Sequence, residues 1–123
     1  MTHLDPNRTN TILYCRRWHE TVRFYREVLE LSARLEKDWF VEFHLSGPAH
    51  LSIADAARAT VPSSGGDGIT LSWQVNDLDA AWHRLKEKGV DVGGIRKRWG
   101  ARVFYFRDPE GHRIEFWSAR AAG

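Results

Sequence analysis

Alternating apolar and polar residues near the end of the chain predict a β-hairpin. The segment FYFRDPEGHRIEFW occupies positions 104–117, with DPEG at its centre. Proline fixes φ near roughly −65° and glycine accepts a positive φ, so DPEG predicts a tight turn. Side chains two positions apart in a strand share a face. The predicted core face carries Phe104, Phe106, Ile114 and Phe116. The opposite face carries Tyr105, Arg113, Glu115 and Trp117, a polar set that we expect to contact solvent or a ligand.

The same order of predicted elements occurs twice along the chain. Alternation predicts strands, and apolar residues spaced by three and four predict helices. The first module comprises a strand at 10–15, a helix at 18–29 and strands at 32–35, 39–45 and 50–55. The second comprises a strand at 70–75, a helix from Asn76 or Asp77 to Lys88, an irregular strand or loop at 90–98 and strands at 101–106 and 112–117. We therefore predict one domain over 1–123 with duplicated βαβββ modules at about 10–55 and 69–118, joined by an Ala-, Ser-, Gly- and Pro-rich linker at 56–68.

Composition narrows the class of protein. The chain has 123 residues and a formal net charge of +2, typical of one globular domain. No apolar run approaches the roughly 20 residues of a spanning helix, and the first residues do not resemble a secretory signal. The single Cys15 fits a reducing compartment. We expect a cytoplasmic protein that binds neither nucleic acid nor membrane, since no basic stripe follows a predicted helix.

The repeated pattern resembles the vicinal oxygen chelate superfamily. The resemblance covers about residues 10–118 and depends on HETVRFYREVLEL, VNDLDAAWHRLKEKGV and the FYFRDPEGHRIEFW hairpin. That superfamily includes glyoxalase I, extradiol dioxygenases, fosfomycin resistance enzymes and bleomycin resistance proteins, and the last of these are the most similar in pattern. The resemblance implies an α+β fold in which both modules form a curled mixed sheet around a cleft, with the helices outside. It also implies a homodimer. The fold alone does not identify a reaction, because it hosts several.

Four positions correspond to the metal ligands of enzymes that this chain resembles. They are Asn10, Ser52, Thr70 and Glu115. Only Glu115 offers a strong ligand, because zinc, nickel and iron favour imidazole, thiolate and carboxylate. A catalytic metal normally needs about three protein ligands. We therefore expect no cofactor. In the alternative reading, Glu115 holds a divalent metal with non-standard partners such as His44.

The inferred cleft has a predicted lining. It consists of Asn10, Tyr14, Glu42, His44, Ser52, Thr70, Tyr105, Glu115 and Trp117. His44 shares a face with Glu42, so it is either a polar wall residue or a general base. We predict His50 at the rim of the cleft. The other histidines, His3, His19, His83 and His112, are predicted to face solvent or to bond backbone.

Aromatic and basic residues add a second candidate feature. Trp99, Trp117 and Tyr14 could stack on a planar ligand, or they could lie where subunits meet. The last strands also carry a group of cations, Arg96, Lys97, Arg98, Arg102, Arg107 and Arg113. Such a group is either a solvated face or a site for a carboxylate or phosphate.

These observations leave three functions open. The favoured one is a protein that binds a small organic molecule without metal, as bleomycin resistance proteins sequester a drug, which would confer antibiotic resistance. The alternative is a metal-dependent lyase, isomerase, transferase or dioxygenase that uses Glu115. The third is a structural dimer without a ligand. No residue is assigned a catalytic role.

Overall fold

A computed structural model describes residues 4–119, which contain the predicted order of elements. The strands are β1 (Thr9–Cys15), β2 (Ala33–Lys37), β3 (Phe40–Ser46), β4 (Ala49–Asp55), β5 (Thr70–Gln74), β6 (Arg96–Arg98), β7 (Ala101–Arg107) and β8 (Arg113–Ala119). The helices are α1 (Trp18–Arg23), extended by a π-helical turn (Phe24–Val28), and α2 (Leu78–Glu87), and a 3₁₀ turn spans Ala56–Arg58. The predicted βαβββ repeat and the α+β class are confirmed.

The chain divides into two compact units with the boundary between Ser64 and Gly65. Strand order in the first unit is β1-β4-β3-β2, and in the second unit it is β5-β8-β7-β6. In each unit the first strand lies parallel to the last strand, while the remaining neighbours are antiparallel. Each module therefore has a four-stranded mixed sheet of its own.

One face of each sheet forms the core of its unit. In the first unit Tyr25 and Phe43 are fully buried, and the Trp18 indole donates a hydrogen bond of 2.9 Å to the Ile53 carbonyl. This bond fixes α1 on β4 while satisfying the polar atom of a buried ring. In the second unit the predicted core face of the hairpin is confirmed. Its four buried residues are Phe104, Phe106, Ile114 and Phe116.

The two helices begin and end differently. Arg17 gives α1 no side-chain cap, and α1 has only six residues before the π-helical turn. Asp77 caps α2 by accepting from the Ala80 amide at 3.0 Å, and Gly89 follows the helix with φ +84°. The predicted start of this helix at Asn76 or Asp77 and its end at Lys88 are confirmed, with Asp77 as the N-cap and Lys88 as the C-cap. Within residues 4–119, neither helix is long and apolar enough to cross a membrane.

The DPEG turn is held by one buried carboxylate. The Oδ1 of Asp108 accepts from the amides of Glu110, Gly111 and His112 at 3.0, 2.9 and 2.9 Å. Its Oδ2 lies 2.7 Å from the Nδ1 of His112, which is 2% exposed. The prediction that His112 faces solvent or bonds backbone is therefore wrong, because the turn folds its ring onto the carboxylate that organises the turn.

The glycine-rich segment before β5 packs against this same turn. Gly66 is buried with φ +88°, and a Cβ built there would lie 2.2 Å from the carbonyl carbon of Gly111. A Cβ at Gly111 would lie 2.5 Å from the Gly65 oxygen. Only residues without side chains allow the two backbones to approach this closely. The end of the segment predicted as a linker therefore belongs to the packed structure of the second unit.

Candidate ligand-binding site

The non-core face of the first unit carries a hydrogen-bonded polar row. Ser52 is fully buried and donates to the Oδ1 of Asn10 at 2.8 Å, and the Nδ2 of Asn10 donates to Glu42 at 3.4 Å. Arg8 completes the row by donating to the Oε2 of Glu42 at 2.6 Å. Alternation brings these residues together, because Glu42 and Ser52 lie opposite each other on β3 and β4.

Arg8 determines the electrostatics of that row. The hydrogen bond from Arg8 lowers the pKa of Glu42 below the ordinary value for glutamate. Burial of Glu42 opposes this shift, and the positive charge of Arg8 adds to it. The side chain of Glu42 is only 11% exposed, so the partner compensates the loss of hydration. Glu42 is therefore an ionised carboxylate that already has its cation.

His44 and His50 both bond to backbone in the turn between β3 and β4. The Nε2 of His44 donates to the Gly47 carbonyl at 3.0 Å, and the Nδ1 of His50 donates to the Pro48 carbonyl at 3.1 Å. Their ring centroids are 5.5 Å apart. His50 is 9% exposed. The Nε2–H of His44 is thus directed at a backbone carbonyl in the β3–β4 turn.

The non-core face of the second unit has Glu115 at its centre. Ser72 lies opposite Glu115 on β5 and donates to its Oε1 at 2.5 Å. Tyr105, opposite Glu115 on β7, donates its hydroxyl to the same carboxylate, and this hydrogen bond raises the pKa of Tyr105, with burial and the carboxylate charge adding to the effect. Tyr105 thus keeps its proton at neutral pH and acts as a hydrogen-bond donor, not as a base.

A pocket of about 380 Å³ lies over this face. Its walls include Trp99, Val103 and Trp117, and its polar groups come from Ser72, Tyr105 and Glu115. Trp117 is half-buried, whereas Trp99 is fully exposed. A pocket with flat aromatic walls and a few polar groups suits a small organic molecule. We call it the aromatic pocket.

Thr70 accepts a hydrogen bond from an arginine of its own unit. Arg113 lies opposite Thr70 on the parallel strands, and its Nε donates to the Thr70 hydroxyl at 3.0 Å. The guanidinium carbon of Arg113 lies 4.6 Å from the centre of the Tyr105 ring. A cation therefore already lies against one of the four positions that correspond to metal ligands.

The donor set at those four positions does not fit a divalent transition metal. Asn10, Ser52 and Thr70 offer neutral oxygens that take part in hydrogen bonds within the protein, and Glu115 is engaged by Ser72 and Tyr105. Among residues 4–119 no group of three or more His, Cys, Asp or Glu is placed to hold a metal ion. No chemical step through a metal can be derived from these residues.

The structure brings six of the nine predicted lining residues together in two sets. Asn10, Glu42 and Ser52 meet in the first unit, while Tyr105, Glu115 and Trp117 line the aromatic pocket of the second. Tyr14 is half-buried opposite Ala54, beyond the polar row of β1. Sequence reasoning missed Arg8 and Ser72. Each lies two positions from a predicted residue, Asn10 or Thr70, so the period of two held the signal for both.

Comparison with known proteins decides the family. The sequence pattern of the Glyoxalase/Bleomycin resistance protein/Dioxygenase superfamily matches residues 6–116. The chain belongs to this superfamily. The predicted resemblance is thereby confirmed, and a shared fold does not by itself identify one reaction.

Two curated proteins match more than three quarters of this chain. The uncharacterized protein YraH of Bacillus subtilis (strain 168) is 30% identical over 113 residues, which cover 80% of this chain and 87% of YraH. Glutathione transferase FosA of Serratia marcescens is 32% identical over 100 residues, which cover 78% of this chain and 69% of FosA.

Solved structures agree on the fold. A glyoxalase/bleomycin resistance protein/dioxygenase from Nocardioides superposes with a TM-score of 0.81 at 23% identity, covering 99% of this chain and 89% of that one. TnmS3, an antibiotic binding protein from a Streptomyces species, superposes with a TM-score of 0.80 at 21% identity, covering 96% of this chain and 99% of TnmS3. At these identities the likeness establishes the superfamily fold and nothing finer.

Proposed function

We propose that this superfamily member binds a small planar organic molecule in the aromatic pocket of its second unit, without a divalent metal. The observation that carries the proposal is the pairing of aromatic walls with a hydrogen-bonded polar floor. Trp99 and Trp117 provide flat surfaces, and Tyr105, Ser72 and Glu115 provide polar atoms next to them. Rings held between aromatic side chains gain binding energy from burial and from stacking.

The polar floor is suited to holding a ligand in one orientation. Glu115 accepts hydrogen bonds from Ser72 and Tyr105, so its carboxylate is fixed in position before a ligand arrives. The raised pKa of Tyr105 keeps its hydroxyl protonated. Groups that are already ordered lose little freedom on binding, which favours affinity.

Binding without metal is supported by the chemistry of the four corresponding positions. Three of them present neutral oxygens, and Arg113 donates to one of those, Thr70. A divalent ion there would lie close to a guanidinium, and like charges repel strongly when few water molecules separate them. Within each unit the polar groups at these positions instead bond to other groups of the same unit.

The named roles of two similar proteins are binding of an antibiotic and transfer of glutathione. TnmS3 is an antibiotic binding protein, and FosA is a glutathione transferase. We extend the first role to this chain and propose that it sequesters a drug-like aromatic compound and thereby contributes to antibiotic resistance. The proposal includes the homodimer that the superfamily resemblance implies and the cytoplasmic location that the sequence predicts.

A second candidate function is metal-dependent catalysis at Glu115. The match to FosA, a glutathione transferase that is 32% identical, favours catalysis, and Glu115 is the strong metal ligand among the four corresponding positions. The reaction would be that of a transferase, lyase, isomerase or dioxygenase, and Glu115 would need ligands other than Asn10, Ser52 and Thr70.

Metal analysis combined with ligand binding separates the two functions. Purified protein is dialysed against EDTA, its metal content is measured by mass spectrometry, and its melting temperature is recorded with a panel of planar aromatic primary amides. We expect no stoichiometric metal before dialysis, and we expect panel members to raise the melting temperature of the dialysed protein. A ligand at 100 times its dissociation constant stabilises the folded state by about 2.7 kcal/mol.

Two variants locate the binding. Trp117→Leu removes one wall of the aromatic pocket and should abolish the shifts, whereas Trp39→Leu, a matched change in the first unit, should retain them. Stoichiometric zinc, nickel, manganese or iron, with shifts lost after dialysis, would establish the metal-dependent alternative. No shift with any compound would leave the structural dimer.

A further inference from the structure

A second pocket adjoins the aromatic pocket within the second unit. It has a volume of about 720 Å³, within the usual range for sites that bind small molecules. Both pockets include Arg98, Trp99 and Tyr105 in their walls. One ligand can therefore extend from one pocket into the other. We call the larger one the arginine pocket.

Cations outnumber anions in the arginine pocket. Four arginines line it, namely Arg96, Arg98, Arg107 and Arg113, whereas Asp91 is its single carboxylate. Within the described residues, none of these four arginines belongs to an ion pair. Arg102, a neighbour on β7, differs from them, because it makes two hydrogen bonds to Asp79 at 2.8 and 2.9 Å. The positive charge of the pocket is thus left for a bound anion to balance.

Arg113 is held in position by contacts that leave the two terminal nitrogens of its guanidinium available to a ligand. Its Nε donates to Thr70 at 3.0 Å, and its guanidinium lies 4.6 Å above the Tyr105 ring. Its two terminal nitrogens make no hydrogen bond to the described residues. A guanidinium fixed along one edge and one face presents the other edge for two parallel hydrogen bonds, the arrangement that recognises carboxylate and phosphate groups.

Trp99 stands where the two pockets meet, in a backbone conformation that tryptophan rarely adopts. Arg98 and Ala101 pair across the β6–β7 hairpin, so Trp99 and Gly100 form its two-residue turn, with φ of +52° and +78°. Such turns favour Asn-Gly, and a bulky residue there is strained. Since the Trp99 ring is fully exposed, the fold gains no packing from it. An exposed aromatic ring on a strained backbone position, at the edge of two pockets, points to a ligand that covers it.

We propose that the arginine pocket is an anion subsite, so that the ligand is a planar aromatic acid whose carboxylate or phosphate binds Arg113. Its ring lies in the aromatic pocket against Trp99 and Trp117. This inference rests on the proposed function and adds the charge of the ligand to it. A drug that carries a positive charge in the same place is disfavoured by the same arginines.

Matched acids and amides test the subsite. Binding of 1-naphthoate, 1-naphthyl phosphate and 1-naphthamide is measured by calorimetry at low and high salt. The three share a ring system and differ in the charge of one substituent. Wild-type protein should bind an anion at least about tenfold more tightly than the amide, and salt should weaken that preference. The two anions distinguish a carboxylate ligand from a phosphate ligand.

Two variants that each remove one positive charge distinguish a specific contact with Arg113 from the overall positive potential of the second unit. Arg113→Gln should reduce the preference for anions to within about twofold, and Arg113→Lys should restore part of it, because an ammonium keeps the charge but loses the fork. Lys97→Gln removes the same charge from β6 at a residue outside both pockets, and it should keep the preference.

The outcomes also separate this inference from the proposed function. If the amide and the anions bind equally, or if Lys97→Gln reduces the preference as much as Arg113→Gln, the anion subsite is wrong and binding in the aromatic pocket stands. If none of the three probes binds and the amide panel gives no shift, both proposals are wrong.

Discussion

Asp108 Oδ2 lies 2.7 Å from His112 Nδ1 in a turn that buries both side chains. The other oxygen of Asp108 accepts from three successive amides, so one carboxylate satisfies four polar groups. We predict that Asp108→Ala lowers the free energy of unfolding by more than about 3 kcal/mol, since it leaves several buried donors unpaired. Urea unfolding followed by circular dichroism measures this.

Asp77 provides the control for that variant. It accepts from a single amide at the exposed start of α2, so Asp77→Ala should cost about 1 kcal/mol, the usual loss for a helix cap. Equal losses for the two variants would show that the buried turn contributes no more than an ordinary cap.

The contact between Gly66 and Gly111 predicts a second difference in stability. Gly66→Ala would place a methyl group 2.2 Å from a backbone carbon, whereas a Cβ at Gly68 has nothing within 4 Å. Both glycines have positive φ, so both variants share a backbone cost on the order of 1 kcal/mol. Gly66→Ala should therefore lower the melting temperature by clearly more than Gly68→Ala. A loss at Gly68 as large as that at Gly66 would contradict close packing of the glycine segment on the turn.

Replacing Trp99 should change the stability of the second unit and its binding of 1-naphthoate in opposite directions. Asparagine tolerates positive φ, so Trp99→Asn should stabilise the second unit by on the order of 1 kcal/mol while weakening the binding of 1-naphthoate. Thermal unfolding and calorimetry on the same variant measure the two effects.

The matched change at this position is Trp99→Leu. Leucine, like tryptophan, is unfavourable in the left-handed region of backbone conformation, but it has no aromatic ring. Trp99→Leu should therefore weaken the binding of 1-naphthoate without stabilising the second unit. If Trp99→Asn is less stable than the wild type, the ring makes a structural contribution that its full exposure does not reveal.

Glu42 predicts a dependence of stability on pH. Because Arg8 lowers the pKa of Glu42 in the folded state, the pair contributes stability above the ordinary pKa of 4.5, and this is lost as pH falls through the folded pKa. Arg8→Ala should raise the pKa of Glu42, so that the loss begins at a higher pH. Carbon-13 NMR titration of the Glu42 carboxyl measures the shift.

An exposed pair elsewhere in the first unit serves as the comparison. Arg17 bonds Glu20 at the surface of α1, and Arg17→Ala should leave the titration of Glu42 unchanged. An unchanged midpoint in Arg8→Ala would mean that a group other than Arg8 lowers the pKa of Glu42.

The hydrophobic pattern predicted most of the fold, because the period of two in β7 and β8 and the spacing in α2 are dictated by burial. It failed where backbone geometry depends on distant partners. The helix predicted to end near Leu29 changes to a π-helical turn at Phe24, and the glycine segment packs on a turn some way along the chain. The π-helical turn is closed by a hydrogen bond from the Leu29 amide to the Phe24 carbonyl. Neither this bond nor the contact between glycines changes the pattern of apolar residues from which the elements were predicted.

The candidate site was predictable only in part for a similar reason. Tyr105, Glu115 and Trp117 share one face of a hairpin, and hairpin register follows from the turn. Ser72 contacts Glu115 across the parallel strands β5 and β8. No turn connects these two strands directly, so the sequence near them does not determine their register. The arginine pocket needs the side chains of Arg96 and Arg113 on the same side of a sheet, which sequence order alone does not give.

Pairing of the first strand with the last strand also constrains how each unit is made. During synthesis β1 has no parallel partner until β4 has left the ribosome, and β5 waits in the same way for β8. The first unit can complete its sheet while the second is still being translated, since domains fold as units from the amino-terminal end. A chain that stops before Arg113 would leave β5 and β7 with unpaired edges, the kind of surface that other unfinished chains join.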